Sequence, residues 1–582
     1  MRTLKVHRKK IRAYALAVIA LSAVLCGQLA YVMLWRSEEL SAKAQALHER
    51  ERVIKAARGR LISADGTVLA DNKTVCTVSV IHSQLTDPEK VISILTDELE
   101  MSEDRVRYYV EKVSSMERVK SNVSKEVGDR IREYNLDGVK VDEDSKRTYP
   151  FGQLASKVLG FTGADNQGII GLEVSYDELL AGENGMILTL TDAKGIELEG
   201  EEEQRVEPVA GEDLYLSLDY NIQSYCMQAA QKTYEAKQAK SVSIIVMNPQ
   251  NGELLAMVNY PEYDLNDPFT LNYEPPENIS DDDKMNLLNA MWRNGVINDT
   301  YEPGSTFKII TATAGLSTGV VSLSDSYSCG GSTTVGGRTI RCHKTTGHGT
   351  QTFAQTLMNS CNPAFITWGL RVGVDNFLLY MEKLGLMQKT GVDLPGEAST
   401  IMHKKEDIKE LELATMSFGQ SFQITPLQLL RAVSCIVNGG TLITPHFGVK
   451  SVDAEGNITE LEYGRVEGVI TPETCETMKT LLKSVVHEGG GGKCYIEGYS
   501  IGGKTATSQK LPRSAQKYIS SFIGFCPAEN PQVIAMCIID EPQGIYYGGT
   551  IAAPVIKEVF ENILPYLGIE KTPVAAEPEA AQ

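Results

Sequence analysis

Pro303-Gly304-Ser305-Thr306-Phe307-Lys308 is the stretch on which the reading of this chain turns. Gly304 allows a tight approach, Ser305 stands at a helix start, and Lys308 follows three residues on, facing the same side. The exposed N–H groups of a helix start point at anything such a serine attacks. A lysine one turn away, if desolvated or near another cation, can lose its proton and act as a base. Taken alone, these residues fit an N-cap serine beside a solvated lysine better than a reactive pair, because serine is a favoured cap. Two further segments shift the balance. Ser360-Cys361-Asn362 follows a helical stretch and precedes Pro363, which places it on a turn. Ile501-Gly502-Gly503-Lys504-Thr505-Ala506-Thr507-Ser508 is a small-residue segment just ahead of a strand pattern.

Outward from these segments, strands stand at both ends of a long region. Residues 241–247 read as an apolar strand, 249–252 as a turn and 254–258 as a second strand. A matching hairpin occupies 520–525 and 533–539. Helical spacing appears between them near 307–316, 353–370, 374–384 and 426–437. This pattern predicts an α+β fold with one antiparallel sheet covered by helices, over 209–567. Residues 57–208 read as an irregular α+β module with a hairpin at Asp65-Gly66 and no catalytic cluster.

The N-terminus deviates most from globular texture. Residues 1–12 hold Arg2, Lys5, Arg8, Lys9, Lys10 and Arg12 with no acid, and 13–35 carry no charge. A helix of that length spans a hydrocarbon core of ~30 Å. A cleaved signal would have an apolar core of only ~7–15 residues. The expectation is one uncleaved anchor with a cytoplasmic N-terminus and the remainder outside the cytoplasm. Residues 36–56 read as a helical stalk, and 568–582 as a disordered tail.

Composition excludes several classes. Of 582 residues, 42% are hydrophobic and 23% charged, as in globular protein, and the formal net charge is −19. That sign argues against nucleic-acid binding. The run from Gly498 to Thr505 satisfies a P-loop pattern, but Leu511-Pro512 and a hairpin follow it where a helix is required, so no nucleotide is expected.

Ser305-Thr-Phe-Lys308, Ser360-Cys-Asn362 and Lys504-Thr505-Ala506 stand in the order of the S-x-x-K, S-x-N and K-T-G signatures, and the chain resembles the class B penicillin-binding proteins. The likeness extends to Ala57-Arg58-Gly59-Arg60-Leu61-Ile62, GIIGLEVSY at 168–176, YEPGSTFK at 301–308, GVDLPG at 391–396 and GQSFQITPLQ at 419–428. It is similar to the elongation, division and stage V sporulation protein D-like members. The resemblance implies a penicillin-binding transpeptidase (β-lactamase-like) domain behind a pedestal, or dimerisation, module. It implies a D,D-transpeptidase that crosslinks peptidoglycan stem peptides through a serine acyl-enzyme and is captured by β-lactams. Ser305 would be the nucleophile, Lys308 its base, Ser360 a proton relay, and Lys504 a partner that keeps Lys308 neutral. Asn362, Thr505 and Thr507 would bind substrate, and a lipid-linked glycosyltransferase would be the partner. Acyl transfer needs no cofactor. The rival readings are a β-lactamase or D,D-carboxypeptidase on the same core, and a catalytically silent assembly scaffold.

Two departures carry their own expectations. Ala506 replaces the signature glycine, and its methyl would narrow the approach of bulky groups. Cys329 and Cys342 bracket a Gly-rich loop with His343 adjacent. Thiolates and imidazoles in one loop suit Zn²⁺, with His348 or Asp325 as a fourth ligand. A disulfide or two buried thiols are the alternatives.

Overall fold

The computed structural model describes residues 2–37, 49–114, 116–190, 204–275 and 279–571. Stalk residues 38–48, the acidic run 201–203 and tail residues 572–582 lie outside them. Helix Arg2–Trp35 contains a stretch, Lys9–Trp35, long and apolar enough to cross a membrane, and none of it is buried in protein.

The chain divides into two compact units. The smaller comprises Met1–Ala57, Lys73–Lys146 and Gly182–Val209. Within it, helices Pro88–Leu99, Glu103–Glu111 and Lys125–Glu133 share a core of Val78, Leu95, Val106 and Ile131 with strand residues. Asp87 caps the first of these helices through Lys90 N at 3.2 Å. Glu49–Ile54 corrects part of the helical stalk. These residues form a strand, antiparallel to Gly185–Leu190, because pairing with a distant segment overrides local helix propensity.

The larger unit comprises Arg58–Asn72, Arg147–Ala181 and Ala210–Gln582. Its sheet has five antiparallel strands: β1 (Ser241–Met247), β2 (Leu254–Tyr260), β3 (Gly502–Gln509), β4 (Tyr518–Cys526) and β5 (Val533–Asp540). Their spatial order is β2-β1-β5-β4-β3, so β3 is an edge strand. Strand alternation buries both faces. Ile244 and Val246 face one core with Phe560 of helix Ala553–Tyr566, whereas Ile245 and Met247 face the other. On that second side lie α1 (Lys308–Ser317), α2 (Asn362–Lys383), α3 (Pro426–Val437) and α4 (Pro472–His487). Thr425 caps α3 with a capping box through Gln428, and Pro426 begins it, which explains why this helix was legible to its ends.

Arg58, 1% exposed, anchors the loop ahead of the first hairpin. Its Nε lies 2.6 Å from Glu173 Oε2 and its Nη1 2.7 Å from Asp177 Oδ1. Arg147 Nε reaches the other Glu173 oxygen at 2.7 Å. The Arg58 and Glu173 of the two upstream motifs are therefore one buried ion cluster.

Candidate active site

Ser305 sits on a 3₁₀ turn, Gly304–Phe307, that runs directly into α1. Ser305 thus lies on the turn, and Lys308, three residues on, is the first residue of α1. Phe307 pins the turn from below, packed on Phe422 at 4.7 Å and Phe377 at 5.8 Å between ring centroids. Gly304 has φ +59°, and its N–H donates to Gly419 O at 2.9 Å. A Cβ on Gly419 would stand 2.1 Å from Gly304 O, so this contact requires glycine.

Lys308 is fully buried. Its Nζ donates to Ser360 O at 2.7 Å, Ser360 Oγ at 3.1 Å and Asn362 Oδ1 at 2.7 Å. The structure thus brings the first two motifs into direct contact. Ser360 has φ +51°, a left-handed conformation uncommon for serine, between helix Phe353–Met358 and α2. Cys361 N–H closes this turn on Thr356 O at 3.0 Å. The helical pattern expected over 353–370 is therefore two helices divided at the motif.

Strand β3 supplies the third wall. A Cβ at Gly304 would lie 3.3 Å from Ser508 Cβ, 3.6 Å from Thr507 O and 3.7 Å from Ala506 Cβ, so the serine turn abuts β3 at these residues. Lys504 is 1% exposed and donates to Thr505 O at 3.3 Å. Thr505 and Thr507 are half-buried on the opposite face, and Thr507 Oγ1 accepts from Gly548 N at 3.0 Å. The segment is strand throughout, with no helix after Lys504 to cradle a phosphate. Ala506 is 3% exposed, on the Lys504 and Ser508 face. Its methyl lies toward the Gly304 turn.

Both lysines are held below the ordinary ammonium range. Burial is the main cause for Lys308, with repulsion from Lys504 second. Burial alone brings Lys504 down to about 7. The charges of Cys361 and Cys342 oppose the shift of Lys308 without reversing it.

The thiol loop differs from its expected form. Cys329, Cys342, His348 and Cys361 converge, whereas His343 is exposed and outside that set. Asp325 is paired with Arg371 at 2.8 Å. The sequence named no ligand at Cys361, which lies inside the S-x-N motif and outside the loop bracketed by Cys329 and Cys342.

A serine three residues ahead of a desolvated lysine, a second hydroxyl on that lysine and an adjoining edge strand define a serine acyl-transfer enzyme. Residues 242–561 match the penicillin-binding protein transpeptidase domain, and 53–216 match the penicillin-binding protein dimerisation domain. The chain belongs to the penicillin-binding protein transpeptidase family. It is 38% identical over 575 residues to stage V sporulation protein D of Bacillus subtilis strain 168, covering 97% of this chain and 86% of that protein. It is 28% identical over 532 residues to the probable peptidoglycan D,D-transpeptidase PenA of Neisseria meningitidis serogroup A, with coverage of 90% and 87%. The fold resembles the crystal structure of a peptidoglycan synthetase from Bifidobacterium adolescentis, at a TM-score of 0.73 and 22% identity over 91% of this chain and 98% of that one.

Proposed function

We propose that this chain is a membrane-anchored peptidoglycan D,D-transpeptidase. The observation that carries the reading is Lys308, fully buried and hydrogen-bonded to both Ser360 and Asn362. Ser305 Oγ attacks the penultimate D-Ala carbonyl of a stem peptide while neutral Lys308 takes its proton. The N–H groups of Ser305 and Thr507 receive the developing oxyanion, each worth roughly 3–4 kcal/mol of barrier lowering. Ser360 passes the proton to the departing D-Ala nitrogen, and the C–N bond breaks. A neighbouring strand's amine then attacks the Ser305 ester, forming the crosslink and releasing the serine. Asn362 orients the peptide amide, the Thr505 and Thr507 hydroxyls receive the terminal carboxylate on their face of β3, and Lys504, charged when a carboxylate is bound, attracts it from the buried face without touching it. A β-lactam opens on Ser305 by the same attack, but its amine stays tethered and the ester persists.

The basic residues ahead of the apolar helix support a cytoplasmic N-terminus and an extracytoplasmic catalytic unit. A lipid-linked glycosyltransferase is the partner that would supply uncrosslinked strands. Fluorescent penicillin applied to membranes tests the enzyme reading. The wild-type chain should carry a long-lived label, and Ser305→Ala should carry none while remaining folded and anchored. Undiminished labelling of Ser305→Ala would remove the nucleophile assignment. Rapid loss of label from the wild type would favour a β-lactamase.

A further inference from the structure

Four short elements deliver four metal-ligating side chains beside the S-x-N turn. Strand Ser326–Cys329 ends in Cys329, and the hairpin Ser332–Val335 with Arg338–Arg341 leads into Cys342. His348 precedes strand Gly349–Thr352, and Cys361 is the N-cap of α2. Their ligand atoms all lie within 4.8 Å of one another, with Cys342 Sγ 3.6 Å from His348 Nδ1. The three cysteines are buried, at 2%, 2% and 0% exposure.

The backbone around them is built for close approach. Gly331 and Gly347 have φ of +96° and +81°. A Cβ on Gly331 would lie 2.0 Å from Thr345 O, and one on Gly347 2.3 Å from Cys329 O. Only glycine allows the strand carrying Cys329 to touch the loop carrying His348. Three soft sulfurs and one imidazole, with no carboxylate among them, form a donor set for tetrahedral Zn²⁺.

We propose that Cys329, Cys342, His348 and Cys361 bind one structural Zn²⁺, and that this ion positions the Ser360–Asn362 turn. Binding releases three thiol protons to solvent and forms three Zn–S bonds and one Zn–N bond. Four protein ligands leave no open coordination position, so the ion takes no step in acyl transfer. Its reach to the catalytic residues is short. Cys361 lies between Ser360 and Asn362, and Asn362 Nδ2 donates to Arg341 O, next to Cys342, at 3.4 Å. The opposite end of the Asn362 amide accepts from Lys308. Asn362 thereby links the loop of the cluster on one side to Lys308 on the other, as supporting residues tie a metal's ligands to their surroundings elsewhere.

The positioning half of this proposal rests on the acyl-transfer reading, whereas the binding half does not. The test uses the full chain in detergent, purified under reductant and without chelator. Metal analysis should find about one zinc per chain, and Cys329→Ser and His348→Ala should each lose most of it. Stripping the zinc should lower the acylation rate by fluorescent penicillin about tenfold, and added zinc chloride alone should restore it. If Cys329→Ser fails to fold, wild-type cysteines should resist alkylation until a strong chelator is added. Less than about a tenth of an equivalent of zinc, or zinc retained in full by both Cys329→Ser and His348→Ala, would overturn the site. A full equivalent whose removal leaves acylation unchanged would overturn the positioning role. Failure of the acyl-transfer reading would instead appear as no labelling at any zinc content.

Discussion

Two pairs of cations buried in the larger unit are treated in opposite ways. Arg58 and Arg147 meet on Glu173, with Asp177 beside them, so each guanidinium has a carboxylate within 2.7 Å. Lys308 and Lys504 are as deeply buried, and only neutral acceptors receive their protons. Arginine stays charged in any protein environment, so its burial demands a counter-charge. Lysine can escape by shedding its proton, and a lysine without its proton is a base. The first arrangement fixes a loop, and the second makes a reagent. Adding or removing charge at either site should therefore have opposite consequences.

The largest effect is expected where the reagent itself is deleted. Lys308→Met keeps an apolar chain of similar length but removes the proton acceptor of Ser305. Acylation by a β-lactam should slow between about 10²- and 10⁴-fold. Stopped-flow rates within threefold of wild type would show that another group takes the proton.

Glu173→Gln attacks the compensated pair and should read out in stability. It leaves Arg58 and Arg147 buried with a neutral partner, and breaking a buried pair in this way costs about 3–5 kcal/mol. Urea unfolding should show that loss, while the folded fraction is acylated at the wild-type rate. A loss under about 1 kcal/mol would mean that Asp177 alone satisfies the arginines.

Lys504 gives the smaller, reversed effect and a dependence on pH. Its folded pKa of about 7 lies below the ordinary 10.5, so the unfolded state binds more protons between these values. The destabilisation is therefore complete below about pH 7 and disappears as pH rises toward 10.5. Lys504→Met should raise stability at neutral pH by about 1–3 kcal/mol after the lost contacts are counted, with the gain shrinking at alkaline pH. Acylation of the wild type should weaken over the same rise, as the cation that attracts the substrate carboxylate is lost. Thermal melts that show Lys504→Met destabilised at neutral pH would sink the account of Lys504 as an uncompensated charge.

What could be read in advance follows the range of the interactions concerned. The closing hairpin and helix Pro426–Val437 carry their patterns and caps locally, and the three motifs name their residues in order. The strand Glu49–Ile54 could not be read, because its partner lies at Gly185–Leu190. Cys361 was hidden for the same reason. Its partners Cys329 and Cys342 lie on other elements, and only the fold brings the sulfurs together. Nor does the K-T-A sequence say which face of β3 its alanine takes. An edge strand beside a ligand and an edge strand packed on the serine turn share one sequence.

That last ambiguity sets the smallest effect. Ala506 lies on the buried face of β3, and its methyl occupies the gap to the Gly304 turn. Ala506→Gly removes one buried methyl, about 0.8 kcal/mol, and adds backbone freedom worth a further 0.5–1 kcal/mol. The variant should melt slightly lower. Because the lost group spaces the serine turn from the strand, small and bulky β-lactams should both be acylated slower, each by less than about threefold. Parallel acylation series with a compact penicillin and a bulky cephalosporin separate the two orientations. If the methyl faced the ligand, its removal would speed the bulky compound and leave the compact one unchanged. A common slowing places it in the joint between turn and strand, where the spacing of Ser305 from Thr507 is set.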